Sequence, residues 1–132
     1  MDLSVYPVSP SGGYIPDVHE AYDLMTPEGT ILGAMRKGVV TYAGWDERFP
    51  LRVRNGRGYY VDVLHADGWL SRQIHMMSMP LVNVGDRVWA GDAIGFSGST
   101  GLTGPPPKPP APHVHVVVFD ETGKAVDWMA LL

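Results

Sequence analysis

The chain has 132 residues, a net charge of −4 and no cysteine. This length suits one ordinary domain with a single hydrophobic core. The lack of cysteine excludes disulfides, thiolate metal ligands and cysteine nucleophiles. The sequence has no basic stripe and no apolar run of about 18 residues, so it indicates neither nucleic-acid binding nor a membrane span.

The composition favours short strands joined by turns. The chain contains 16 glycines and 12 prolines, residues that are typical of turns, and it shows no sustained helical periodicity. We therefore expect an all-β fold, a small antiparallel β-sheet or sandwich-like domain. The predicted strands are Ile31–Met35, Val39–Ala43, Leu51–Arg54, Tyr59–His65, Trp69–Met76, Val84–Trp89, Ala93–Ser97 and Val114–Phe119.

Proline and glycine also mark the predicted domain organisation. Residues 1–18 are expected to be an extended lead-in, and residues 19–132 a single domain. Asn55-Gly56, directly after a predicted strand, is a hairpin signal. A proline-rich loop at 104–112 is expected to be stiff and close to polyproline II. The segment from Ala125 is predicted to be a short strand or a helical turn.

The histidines carry most of the chemical argument. His113 and His115 are two residues apart, so on a strand both side chains point to one face. His19 and Asp23 are four apart, which also places them on one side of a strand or helix. Two histidines and a carboxylate are a known ligand set for catalytic zinc. Histidines in a small β domain are also often structural or solvated, so spacing alone leaves both interpretations open.

A further histidine lies on the predicted strand Trp69–Met76. By strict alternation, His75 shares a face with the polar residues Ser71 and Gln73. The other face would then carry the apolar residues of this strand. A histidine on a polar face is available for chemistry, so His75 is a candidate catalytic residue.

Taken in order, the motifs resemble those of the lysostaphin-type, or LytM-like, zinc peptidases, a family of peptidoglycan endopeptidases. The first family motif, His-x-x-x-Asp, corresponds to His19–Asp23, and the last, Pro-His-x-His, to Pro112–His115. The resemblance runs in unbroken order from about residue 19 to residue 119. The intermediate motifs are Pro27–Thr30, Gly38–Val40, Val63–Gly68, Gln73–Ser78, Val82–Gly95 and Ser97–Gly101.

This resemblance implies the roles of the site residues. One Zn²⁺ ion would be held by His19, Asp23 and His115, in a groove over an antiparallel sheet. His75 and His113 would flank the attacking water, one as general base and the other as stabiliser of the tetrahedral oxyanion. Bound zinc lowers the pKa of a water towards about 7 and polarises a carbonyl.

Two other residues have less direct counterparts in the family. A tyrosine upstream of the first ligand often helps to bind the oxyanion in this family, and Tyr14 is the nearest candidate here; the alternative is an ordinary loop aromatic. His65 matches a position that is not a zinc ligand, so we expect a structural role. The main departures from the family pattern are Ala21 after the first histidine, Val116-Val117 after the last one, and the proline-rich insertion. They leave the expected metal and catalytic positions intact and bear on substrate choice.

The function implied is a zinc-dependent endopeptidase that hydrolyses peptide bonds of peptidoglycan, in the stem peptide or the cross-bridge. It would act outside the membrane, with wall peptide as its partner and a monomer favoured. Because the sequence shows no signal peptide, we expect a phage-encoded or virion-associated domain, or a part of a longer secreted precursor. The alternatives are a non-catalytic zinc-containing module of the same fold, binding the wall or a protein, and a structural β domain with incidental histidines.

Overall fold

The structure, a computed structural model, describes residues 6–9, 12–103 and 112–131. It confirms the all-β prediction: within these ranges the strands pair antiparallel, and the helical structure is one short 3₁₀ turn. No helix within these ranges is long and apolar enough to cross a lipid bilayer. The strands are β1 (Tyr22–Leu24), β2 (Ile31–Gly33), β3 (Gly38–Trp45), β4 (Tyr59–Leu64), β5 (Leu70–Met76), β6 (Arg87–Val88), β7 (Ala93–Phe96), β8 (Val114–Phe119) and β9 (Ala125–Val126), followed by the 3₁₀ turn Trp128–Leu131.

The main sheet has the strand order β1-β8-β5-β4-β3-β6, and β9 also pairs with β8. Strands β3, β4 and β5 form a meander whose second turn is centred on Asp67-Gly68. Strand β8 enters late in the chain and inserts between β5 and β1. This insertion brings segments from opposite ends of the chain into one antiparallel ladder.

A separate two-stranded sheet, β2 with β7, completes the fold. Both sheets contribute to one apolar core, in which Leu32 and Ile94 come from the small sheet. Burying such a side chain fully stabilises the fold by about 1.5–3 kcal/mol. The largest core side chains of the main sheet are Leu24, Val40, Val61, Val63, Met76, Val114 and Val116.

The structure corrects two predicted strands and adds another. The predicted strand Val84–Trp89 is reduced to the two residues of β6. Leu51–Arg54 is not a strand but a series of turns and bends, and Arg52 has a left-handed φ of 69°. The Asn55-Gly56 pair therefore does not join two strands of a hairpin. Strand β1, which the sequence does not predict, is only three residues long. After Ala125 the chain forms both a short strand and a helical turn.

The described part of the N-terminal segment lies along the outer edge of β1. The Ser9 amide donates to the Asp23 carbonyl at 2.9 Å, and the Met25 amide donates to the Pro7 carbonyl at 2.8 Å. The division of the chain at residue 18 stays a prediction. Of the proline-rich loop at 104–112, residues 104–111 lie outside the described residues.

Candidate metal centre and active site

The pairing of β1 with β8 creates the centre of the site. In this ladder Asp23 is directly opposite His115. The turn before β1 places His19 beside them: its ring centroid lies 5.2 Å from that of His115, in an edge-on arrangement. The ladder thus brings together two residues that are 92 positions apart in the sequence.

The three side chains present a compact set of metal-ligating atoms. Candidate ligand atoms of His19, Asp23 and His115 all lie within 4.8 Å of one another. Asp23 Oδ1 is 2.6 Å from His115 Nδ1, and Asp23 Oδ2 is 3.4 Å from His19 Nε2. The side chains are 22–25% exposed, so an ion held here keeps access to the cleft.

The ring of His19 is oriented by the backbone. Its Nδ1 lies 2.9 Å from the Gly13 carbonyl oxygen. Because a carbonyl only accepts hydrogen bonds, Nδ1 carries the proton and donates it, which leaves the lone pair of Nε2 facing Asp23. This arrangement, a histidine whose second nitrogen donates to a carbonyl, is the usual support of a metal-binding imidazole.

The Asp23 carboxylate is kept ionised by its neighbours. Burial by itself raises the pKa of this carboxyl, but the hydrogen bond from His115 and the charges of His115, His113 and His19 outweigh burial and lower the pKa. An ionised carboxylate is the form that binds a metal ion. The cluster therefore presents a negatively charged oxygen ligand to a cation.

His75 reaches the same cleft through a β-bulge. Val61 pairs with Gln73, whereas Tyr59 pairs with Met76, so β5 carries one extra residue at this point. His75 has a φ of 67°, which is rare for a non-glycine residue. Bulges of this kind re-aim a side chain next to a functional site.

The bulge corrects the predicted faces of β5. Gln73 was expected beside His75, but Gln73 points to the opposite side and donates to the Gly33 carbonyl at 2.9 Å. Ile74, expected on the other face, lines the cleft together with His75 and His115. Strict alternation gave the wrong faces because the extra residue shifts the period by one.

The ring of His75 is buried and neutral. Its Nδ1 lies 2.7 Å from the Thr100 carbonyl oxygen and donates to it, while only 4% of the residue is exposed. Burial, followed by the positive charge of His113, lowers the pKa of His75 to about 3. Its Nε2 therefore retains a lone pair that can accept a proton.

His113 lies between His75 and the metal-ligating cluster. Its ring centroid is 4.9 Å from that of His75, and its Nε2 is 3.6 Å from Asp23 Oδ1. Its backbone amide donates to the Gly98 carbonyl at 3.2 Å. One cleft, of about 350 Å³, is lined by both of these histidines together with Asp23 and His115.

Comparisons with known proteins identify this arrangement. The model of peptidase family M23 matches residues 17–128. The chain belongs to peptidase family M23. The LytM-like resemblance expected from the sequence is thereby confirmed.

Two curated relatives of this M23 domain are staphylococcal. Glycyl-glycine endopeptidase ALE-1 of Staphylococcus capitis is 36% identical over 111 residues, covering 83% of this chain and 26% of that protein. Lysostaphin of Staphylococcus simulans is 35% identical over 111 residues, covering 83% of this chain and 19% of that protein. The chain thus spans about a fifth to a quarter of the length of these relatives.

Solved structures show the same fold. The catalytic domain of lysostaphin from Staphylococcus simulans has a TM-score of 0.74 and 29% identity, with 98% of this chain and 93% of that chain covered. A zinc-containing peptidase from Vibrio cholerae has a TM-score of 0.72 and 26% identity, covering 94% of this chain and 38% of that chain. Family membership, this zinc-containing neighbour and the His-Asp-His cluster together assign one zinc ion to the M23 domain.

Tyr14 lies beside the site rather than at its centre. Its hydroxyl is 3.3 Å from Glu20 Oε2 and 3.4 Å from the Ala125 carbonyl, two residues that line the cleft near His19. Burial, followed by the charge of Glu20, raises the pKa of Tyr14, so the hydroxyl remains a donor. Its part in oxyanion or substrate binding stays a prediction.

His65 makes its contacts elsewhere in the sheet. Its Nδ1 is 2.8 Å from the Lys37 carbonyl and its Nε2 is 3.0 Å from Ser71 Oγ. Both ring nitrogens are therefore engaged within the protein, as expected for a structural histidine.

Some features of the M23 site left no signal in the sequence. The carbonyls of Gly13 and Thr100 orient two of the histidines, but backbone groups carry no residue-specific mark. Arg57, which lines the cleft beside His75, was not singled out either. Its position two residues before a predicted strand was the available clue.

Proposed function

We propose that this domain is a zinc-dependent endopeptidase that hydrolyses peptide bonds of bacterial peptidoglycan, in the stem peptide or the cross-bridge. The observation that carries the proposal is the convergence of two groups in one cleft. His19, Asp23 and His115 form a ligand set suited to catalytic zinc. His75 and His113, adjacent to one another, line the same cleft and lie outside that set.

In this proposal His19 Nε2, an Asp23 oxygen and a ring nitrogen of His115 would hold the ion. When bound, zinc supplies a Lewis acid for the scissile carbonyl and lowers the pKa of water. The fit is supported by the ionised Asp23 carboxylate and by the His19 tautomer, which points its lone pair inwards. Held in this way, the three residues keep the ligand atoms in place before substrate arrives.

His75 is the proposed general base. Its Nδ1–H is held by the Thr100 carbonyl, so Nε2 is the nitrogen that accepts a proton from the attacking water. The low pKa of His75 keeps the ring neutral and ready for this transfer at neutral pH. The resulting imidazolium can then return the proton to the leaving amine.

His113 is the proposed stabiliser of the oxyanion. An N–H-donating imidazole in the cleft favours the negative charge that develops on the carbonyl oxygen. The Gly98 carbonyl holds the backbone of His113, so the ring is positioned in advance. A single lost donor of this kind typically lowers kcat by about 10²–10³-fold.

The cell wall lies outside the membrane, so the proposed place of action is extracytoplasmic. The relatives support this assignment by their printed names, glycyl-glycine endopeptidase and peptidoglycan DD-endopeptidase. A solved structure of a prophage-encoded M23 protein from Enterococcus faecalis, with a TM-score of 0.72 and 25% identity, supports a phage-encoded lytic domain as one setting. A monomer is the proposed state.

The test is cleavage of purified peptidoglycan of several cross-link types by the zinc-loaded protein, with new amino groups located by mass spectrometry. We expect the wild-type protein to produce new termini. These termini should be absent when zinc is chelated. They should also be absent with His75→Ala, which removes the proposed base but should retain its zinc. If the wild-type protein keeps zinc but cleaves no wall type, the domain is instead a non-catalytic binding module.

A further inference from the structure

The cleft at the metal centre continues as a groove on both sides of Arg57. On one side it passes Asn55, Leu102 and the two catalytic histidines. On the other side it passes Glu20 and Phe119 towards β9. Arg57, Ile74 and His115 line both halves, so any peptide lying along the groove passes the Arg57 side chain.

The backbone of Arg57 is held by hydrogen bonds on both sides of its Cα atom. Its amide donates to the buried Asp46 carboxylate at 3.0 Å, and its carbonyl accepts from the His75 amide at 2.9 Å. The guanidinium lies 5.2 Å above the ring of Tyr60, with Nη1 3.5 Å from the Tyr60 hydroxyl. The side chain is therefore held in a defined position relative to the proposed general base.

Arg57 and its neighbour in the groove, Arg72, differ in whether an acidic side chain compensates their positive charge. Arg72 donates twice to the Asp62 carboxylate, at 2.7 and 2.9 Å, so its charge is compensated within the protein. Arg57 takes part in none of the ion pairs formed between described residues. Glu20, which lines the groove, accepts the Tyr14 hydroxyl, and Asp23 belongs to the metal-ligating cluster.

We propose that Arg57 binds a free carboxylate of the substrate close to the scissile amide, so that the domain prefers peptides with such a carboxylate to uncharged ones such as oligoglycine. This inference rests on the proposed peptidase function. A guanidinium recognises a carboxylate through two parallel hydrogen bonds. Because Arg57 and His75 share a backbone hydrogen bond, a carboxylate held there places the next peptide bond at a fixed position relative to the base.

The experiment uses two cross-linked peptide dimers that differ only in whether their side-chain and terminal carboxyl groups are free or converted to carboxamides. We expect the wild-type zinc protein to cleave the free acid with a kcat/KM about 10- to 100-fold higher. Arg57→Gln should abolish this preference, because it should slow cleavage of the free-acid dimer alone. Arg57→Lys should retain part of it. Arg87→Gln, which removes the same charge from an exposed position on strand β6, should leave the ratio unchanged.

Three results would overturn the inference. Equal cleavage of both dimers by the wild-type protein would remove the role of the carboxylate while leaving the peptidase function intact. Equal loss on both dimers in Arg57→Gln would show that Arg57 only supports the fold. Cleavage of neither dimer, and of no wall preparation, would overturn the peptidase function and this inference together.

Discussion

Two buried histidines of this M23 domain use their ring nitrogens differently. His65 engages both nitrogens, with the Lys37 carbonyl and the Ser71 hydroxyl. His75 engages only Nδ1 with the backbone, at the Thr100 carbonyl, and turns its other edge towards His113 and the cleft. Burial lowers the pKa of both rings, and of these two histidines His75 is the one that lines the cleft.

The burial of His65 predicts a dependence of stability on pH. Burial lowers the pKa of folded His65 below the unfolded value of about 6.5, although the bond to the Lys37 carbonyl raises it somewhat. Below that pH the unfolded chain binds more protons than the folded one, so this contribution to stability is lost on acidification. We expect the free-energy advantage of wild type over His65→Gln to shrink between pH 7 and pH 5, by at most about 1.4 kcal/mol per pH unit.

Urea unfolding of the two proteins at several pH values checks this expectation. The proposed metal-ligating histidines are identical in both proteins, so the difference between the two proteins isolates His65. A free-energy difference that stays constant from pH 7 to pH 5 would show that the protonation of His65 does not change on folding.

The proposed active site depends on contacts between two loops. Residues 99–103 supply the Thr100 carbonyl that orients His75, and residues 55–58 supply the Arg57 carbonyl that binds the His75 amide. Gly101 sits where these loops touch. It has a φ of 76°, and a Cβ on it would lie 2.5 Å from both the Gly56 oxygen and the Gly58 nitrogen.

Gly101→Ala should therefore separate the two loops and misalign His75. We expect kcat for peptidoglycan cleavage to fall by about 100-fold, because a displacement of about 1 Å in a catalytic group has this effect. The zinc content should not change, since no proposed ligand lies in either loop. Both quantities are measured on the purified variant, by turnover and by metal analysis.

The matched control is Gly123→Ala. Gly123 has a similar φ of 84°, but a Cβ there meets nothing within 4 Å. This variant carries the same backbone strain, about 1 kcal/mol or more, without moving a loop of the site. Equal activity in the two variants would contradict the proposed coupling between the loops and His75.

The long strands of this fold can be predicted from the sequence, whereas the short edge strand cannot. Strands β3, β4, β5 and β8 are long enough for apolar and β-branched residues to reveal them. The motif order then locates every histidine of the cleft. Strand β1 is too short to show a period, and its identity depends on pairing with β8, a partner 92 residues away in sequence.

Other features depend on tertiary contacts that leave no local trace. The bulge at His75 consists of one extra residue in the strand, and that residue is not a glycine that would mark it in the sequence. Strict alternation therefore predicts the wrong face for the side chains beside it. Leu51–Arg54 has strand-forming residues, yet it belongs to a loop organised by the buried Asp46, which accepts from the backbone of Arg48 and Arg57. Whether Arg57 has an acidic partner likewise depends on which side chains meet in the groove.

The proposed metal site joins the two ends of the fold. His19 and Asp23 belong to the segment around β1, which lies at the edge of the main sheet, whereas His115 is in β8, paired on both sides. The unfolded chain cannot hold these three ligands together without closing a long loop. Zinc should therefore bind the folded state far more tightly than the unfolded one.

This difference predicts that zinc stabilises the domain and that the effect depends on the ligands. At a free zinc concentration 100 times the dissociation constant, we expect a gain of about 2.7 kcal/mol in unfolding free energy. His115→Ala should lose most of this gain, whereas His65→Gln, which removes a histidine outside the cluster, should retain it. Thermal unfolding with zinc and with a chelator measures both.

Hydrogen exchange locates the same effect within the fold. Because β1 is a three-residue edge strand, its amides should exchange faster when zinc is chelated, while those of the central β3-β4 pair should change little. A zinc-dependent change spread evenly over all strands, or one that persists in His115→Ala, would place the ion elsewhere. Protection confined to β1 and its junction with β8 would instead show that the metal fastens the N-terminal edge onto the strand that carries the third ligand.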